Sequence, residues 1–236
     1  MPVASEFHMT RCQASFFTPN LQLNRARVLS HLLSEYGEQF DGDPISFPGN
    51  PPPDIPSIIL RSADDSLQLQ VSQSRLDVVT DKRPMANAEA FLSWVTALGL
   101  SYLEKCQTKA SRVACVLHHA IEVDKPAKEL AVHFCQERWL NTGINRPEEF
   151  QLHTMKRFQL DDLFMVNSWI RCKSSLPVEI APKDGAKPSI VVEQDMNTLA
   201  DPSETRDLCG DQIEKFFRIV PFEVGKVLEL YFPTNG

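Results

Sequence analysis

Two consecutive histidines, His118 and His119, stand in the apolar run VACVLHHAIEV, and a third, His133, follows in a segment of helical period. On a strand the first two must point to opposite faces, so only one of them can share a site with His133. His119, His133 and Cys135 are ligand types that zinc accepts, and Glu129, one turn before His133, is spaced to orient its ring. Zinc motifs gather their ligands through short spacings such as HxxxH or CxxC, and neither occurs here. These residues are therefore expected to be hydrogen-bonded parts of the fold. A metal-dependent enzyme built from His119, His133 and Glu129 is the alternative.

The acidic clusters read in the same way. Asp41–Gly42–Asp43 begins like a calcium loop, but no third ligand or bidentate Glu follows where one is needed. Asp64–Asp65 and Asp161–Asp162 fall between strand-like runs, where Asp bonds local backbone. GxSxG, GxGxxG and GxxxxGK[ST] are all absent, and nine glycines in 236 residues leave few places to cradle a phosphate. No catalytic, cofactor-binding or metal residue is assigned, and no cofactor is expected. The six cysteines (12, 106, 115, 135, 172 and 209) form no CxxC and read as small hydrophobes in a reducing compartment.

Composition narrows the partners. Hydrophobic residues make up 42% and charged residues 23%, as in a globular chain with a core of its own. The net charge of −7 divides into −3 for residues 1–110 and −4 for residues 111–236, so neither half carries a footprint for duplex DNA or an anionic membrane. Lys156 and Arg157 beside Phe158, and Arg171 and Lys173 near Trp169 and Phe164, would suit a single strand of nucleic acid, a second alternative. The first residues lack the apolar core of a secretion signal, and runs such as Val113–Leu117 are far shorter than the ~20 residues of a membrane span, so a cytoplasmic protein is expected.

The elements that must position these groups follow from apolar period. Met9–Thr18 alternates as a strand. Asn20 can cap a helix with the stripe Leu21, Val28, Leu29, Leu32, Leu33 and Tyr36, which stops near Gly37. Six prolines between Pro44 and Pro56 predict a loop of polyproline character that cannot join a sheet. Ser57–Arg61, Ser66–Val71 and Arg75–Thr80 predict an antiparallel meander, and Asn87 opens a helix through Cys106.

The second half repeats this order. Ser111–Val123, apolar on both faces, predicts a central strand. Asp124 can cap a helix reaching about Leu140, with Pro126 in its first turn. Strands are expected at Glu148–Phe158, Asp162–Cys172 and Pro188–Glu193. The last helix is expected to begin after Asp201 or Ser203. Its stripe runs from Ile213 through Phe216, Phe217, Val220, Val224 and Leu228 to Tyr231, with a kink or restart at Pro221. Two β-α-β-β-β-α halves, 1–110 and 111–236, then predict an α+β unit: a mostly antiparallel, continuous sheet with helices on one face.

Ile58–Asp81, the helix Phe91–Leu103, the segment VACVLHHAIEVDKP and the closing VVEQDMNTLADPSE before a long helix together resemble a sporadically distributed family of uncharacterised bacterial proteins. Cys115–His119 departs from that family's Gly-Leu-Arg-Tyr-type middle strand. The resemblance carries no activity. It implies an accessory gene product, of the kind found in defence or toxin–antitoxin cassettes. With the site residues above, the leading expectation is a non-catalytic accessory subunit of a bacterial multi-gene system. Its partner, another protein, would meet the loop Pro44–Pro56 or an aromatic sheet face carrying Phe150, Phe158, Phe164 and Trp169.

Overall fold

Apolar residues recurring every second position in some segments, and every third or fourth in others, need one sheet and a helical layer to bury them together. The computed structural model describes residues 2–19, 21–47, 51–81, 88–135, 147–160, 164–175, 187–200 and 206–234. Along the first half it has β1 (His8–Phe17), α1 (Arg25–Tyr36), β2 (Ile45–Ser46), β3 (Ile58–Arg61), β4 (Leu67–Val71), β5 (Arg75–Asp81) and α2 (Ala88–Cys106). The second half has β6 (Arg112–Glu122), α3 (Pro126–Phe134), β7 (Gln151–Leu160), β8 (Phe164–Ser175), β9 (Ser189–Thr198) and α4 (Gly210–Tyr231).

The strands form one nine-stranded antiparallel sheet in the order β2-β3-β4-β5-β1-β6-β9-β8-β7. Outward from the centre the first half runs β1, β5, β4, β3 and the second runs β6, β9, β8, β7, so the two halves share one order and meet at the β1–β6 pair. β6 is central, as its apolar faces require.

Strand period two then separates the faces. Cys12, Ala14 and Phe16 of β1 lie in register with Leu117, Cys115 and Val113 of β6, and all six are buried. They pack against Leu92, Val95, Leu98 and Tyr102 of α2 and Ile213, Phe216, Phe217 and Val220 of α4. Each such side chain contributes about 1.5–3 kcal/mol by leaving water. A smaller cluster joins Leu130 of α3 to Ile170, Cys172, Ile190 and Val192 of β8 and β9, with Leu228, Phe232 and Phe7. All four helices therefore cover the same face, and the fold is α+β with a mostly antiparallel sheet.

Local chemistry sets the ends of the elements, with several departures from expectation. Asn24, not Asn20 (outside the described residues), caps α1: its side chain accepts from the Arg27 N–H at 3.1 Å. Leu21 reaches the core from the turn before that helix, where its own N–H bonds the Thr18 carbonyl. α2 ends where Gln107 takes φ 52° and the Thr108 N–H returns to the Leu103 carbonyl. α3 starts after Lys125 rather than Asp124, because Pro126 fits the first helical position, and its described turns end at Phe134 with Cys135 as cap; the expected continuation to Leu140 lies outside the described residues. β8 and β9 run on to Ser175 and Thr198, since residues polar on one face still extend a strand whose other face is buried. α4 begins only at Gly210, after Leu208 bridges back to Ala110, and it runs through Pro221 as one element.

The proline segment also corrects an expectation: Ile45 and Ser46, which keep their amides, join the sheet as β2 against Ile59 and Ile58. Its described ends are tied down. Arg25 donates to the Phe47 carbonyl at 2.8 Å, and Ser74 Oγ donates to Asp54 at 2.7 Å and to the Pro53 carbonyl at 3.1 Å. No described helix is long and apolar enough to cross a membrane.

Candidate functional site

With the helices on one side, every second residue of each strand faces the other side, where no described helix packs. Register lines these residues up in rows. One row crosses six strands: Asp81 of β5, Arg11 of β1, His118 of β6, Glu193 of β9, Arg171 of β8 and His153 of β7. Arg171 ion-pairs with Glu193, its Nε donates to His153 Nε2 at 3.0 Å, and His118 Nε2 lies 3.9 Å from Glu193. Charges of opposite sign placed directly across strands stabilise the sheet by a few tenths to about 1 kcal/mol per pair.

The next rows continue the network. Trp169 stands opposite Met155 on one side and Asp195 on the other. Its ring centre is 5.1 Å from that of His153 and 5.9 Å from the Arg171 guanidinium. Arg157 donates to Asn167 at 3.0 Å, and Asn197 donates to Asp195 at 2.8 Å. In the first half, Asp77, only 3% exposed, accepts from Ser15 Oγ at 2.5 Å and pairs with Arg75 at 2.9 Å. Burial lowers the pKa of His118, against the pull of Glu193 and with Arg11, Lys173 and Arg171 adding to the fall. Burial likewise lowers the pKa of Arg112, opposed by Asp195; Arg112 stacks on Phe17. The face therefore offers donors, acceptors and one half-buried indole, each in contact with its neighbours across the strands.

The residues singled out for chemistry lie elsewhere. His119 sits on the helix side of β6, opposite Met9 and Val192, with Nδ1 buried and without a partner. Burial, then the neighbouring His118 and His8, pushes its pKa down to about 4. His133 donates from Nε2 to the Tyr231 carbonyl at 2.5 Å and stacks on Phe232, which fixes its ring from α4 and not from Glu129. Glu129 stands in the first turn of α3, and Cys135 caps the end of that helix. Among the described residues no three His, Cys, Asp or Glu side chains gather as a metal-holding set. Asp41 and Asp64 accept hydrogen bonds in the β3–β4 turn region, from the Ala63 N–H and from Ser62 and Ser66. Asp161 and Asp162 lie outside the described residues.

The expected aromatic sheet face does not form. Phe158 and Phe164 turn to the helix side, and Phe150 stacks on Phe134, whose other ring neighbours are His133, Tyr231 and Phe232. Trp169 alone of the four reaches the uncovered face. Of the basic residues, Arg157, Arg171 and Lys173 accompany it, while Lys156 lies over the Phe158 ring on the opposite side. The row through His118, Glu193, Arg171 and His153 escaped sequence reasoning, although each member alternates with buried neighbours in its own strand. No protein-family model matches this chain, and no curated protein is significantly similar to it.

Proposed function

We propose that this chain is a protein-binding module that presents the uncovered face of its sheet to a partner. One observation carries the reading: the helices occupy a single side, and the other side holds Trp169 beside the ordered row His118–Glu193–Arg171–His153. An indole flanked by an arginine that its own neighbours already orient is the type of anchor on which protein interfaces concentrate binding energy. The partner is inferred to be another protein of one bacterial multi-gene system, the setting the family resemblance implies, with this chain as the non-catalytic accessory subunit.

Trp169→Ala tests the reading, with Leu230→Ala on the exposed back of α4 as control. After a partner is identified by in-cell cross-linking, Trp169→Ala is expected to weaken its binding at least tenfold with little change in melting temperature. Leu230→Ala is expected to bind normally. The opposite result would move the interface to the helices. Binding of oligodeoxythymidine that Trp169→Ala abolishes would favour the nucleic-acid alternative.

A further inference from the structure

The sheet ends on β7, a ten-residue strand paired only with β8 among the described residues. Its free side can be read from one bond. The Ser174 N–H donates to the Phe150 carbonyl at 3.0 Å, which places the pair 150/174, one step beyond 151/173, in the hydrogen-bonded class. Such pairs alternate along an antiparallel ladder. Leu152, Thr154, Lys156 and Phe158 therefore bond β8, and Gln151, His153, Met155, Arg157 and Gln159 turn their N–H and C=O groups outward. Unpaired edges of this length are templates for another strand unless blocked by proline, a bulge or brevity. β2, at the opposite edge, is blocked by brevity with its two residues. β7 has neither proline nor bulge.

Charge selects what could pair there. β7 and β8 contain Lys156, Arg157, Arg171 and Lys173 and not one Asp or Glu, in a chain of net charge −7. Arg171 is neutralised by Glu193, whereas Lys156, Arg157 and Lys173 have no ion pair among the described residues. A second copy of β7, paired antiparallel through the outward groups, would set Lys156 opposite its own equivalent in one register and Arg157 opposite its own in the next, and like charges directly opposite destabilise a pair. The edge disfavours itself.

We infer that β7 receives an extended acidic segment of a partner protein by strand addition. Main-chain bonds would run to the outward groups of the odd-numbered residues. Consecutive acidic side chains of the guest would meet Lys156 on the helix side and Arg157 on the uncovered side, with Met155, 45% exposed, as an apolar contact beside Arg157 on the uncovered side. The inference rests on the protein-binding reading above and specifies its partner.

The test uses the whole chain and fluorescein-labelled peptides of about a dozen residues, with a central Glu-Glu pair flanked by Val and Thr for strand propensity. A saturable anisotropy rise is expected at low salt for this probe and not for its Lys-Lys counterpart. Met155→Pro removes an outward N–H that β8 does not use, so it should leave circular dichroism unchanged and weaken the Glu-Glu probe at least tenfold. Should that variant misfold, the wild-type chain is measured with a probe N-methylated at alternate residues, which must lose binding to the same extent. Lys156→Glu with Arg157→Glu should exchange the preference to the Lys-Lys probe. The idea is overturned if the Glu-Glu probe does not bind the wild-type chain. It is equally overturned if the Met155→Pro or N-methylated measurement leaves affinity intact, which would mean charge capture without pairing. Partner binding lost in Trp169→Ala, alongside an inert β7, would keep the face and reject the edge alone.

Discussion

Gly99 lies in α2 where the Phe16 ring of β1 presses against the helix, and the two set the spacing of helix and sheet. A Cβ at Gly99 would stand 2.2, 2.4 and 2.7 Å from Cζ, Cε1 and Cε2 of that ring. The ring cannot withdraw: Phe16 is fully buried, and Phe217 lies 5.2 Å behind it, itself wedged against Phe216 at 5.1 Å. Gly99→Ala gains about 1 kcal/mol of helix propensity. Overpacking costs about 1–3 kcal/mol, and contact with three ring atoms puts this site at the upper end. A net loss of about 2 kcal/mol follows, which lowers the urea midpoint by about 0.7–1 M at a slope of about 2–3 kcal/mol/M. Circular dichroism in urea measures it. The same change made in a Phe16→Leu background should cost at least about 1 kcal/mol less, because the clash is then absent. A midpoint that stays or rises in Gly99→Ala, or an equal loss in both backgrounds, refutes this account of α2 packing.

Three further outcomes are expected. Asp77→Ala strands the buried Ser15 hydroxyl and leaves Arg75 without its carboxylate, at a cost of about 2 kcal/mol, with Asp77→Asn milder; thermal unfolding of both variants decides it. His119 is neutral when folded, with a pKa held at about 4 by burial, while the unfolded chain takes up the proton near pH 6.5. This group therefore contributes nothing to the pH slope above about 6.5, and stability falls as pH drops from there to about 4, by up to roughly 3 kcal/mol. His119→Gln should flatten urea midpoints across that window relative to the wild-type chain, and parallel slopes would contradict the burial argument. Pro221 interrupts the amide ladder inside α4, so Pro221→Ala should stabilise the chain by about 1–2 kcal/mol once the gain in unfolded-state entropy is subtracted, and so raise the melting temperature; a lower melting temperature counts against it.

How much could be read beforehand depended on whether a signal was local. α2 was legible because Leu92, Val95, Leu98 and Tyr102 fall on one stripe whatever surrounds them. The centrality of β6 was legible because a strand apolar on both faces has nowhere else to lie. The row across the uncovered face was not, because it depends on register, and register depends on where a turn closes. A β7–β8 hairpin closing at residues 159–161 would set Arg171 opposite Glu149, an acid. Pairing Leu160 with Phe164 instead sets Arg171 opposite His153 and leaves Glu193 of β9 as its carboxylate. The aromatic face failed on a point that was local: Phe164 and Trp169 differ in parity within one strand, so they could never share a side.

The same parity argument links the face to the edge. Near the middle of the row, Arg11 is in register with Asp81, and Arg171 is neutralised by Glu193, so charge is balanced where strands have neighbours on both sides. Balance ends at β8, because β7 supplies His153 and Arg157 but no carboxylate, and nothing described lies beyond it. A basic outermost strand on an acidic chain repels its own copy through the like charges at Lys156 and Arg157, and attracts a segment of opposite sign. Edge charges of this kind ordinarily prevent association. Here their single sign makes the protection selective, and raising the ionic strength should weaken capture of an acidic strand while leaving the balanced rows of the face intact.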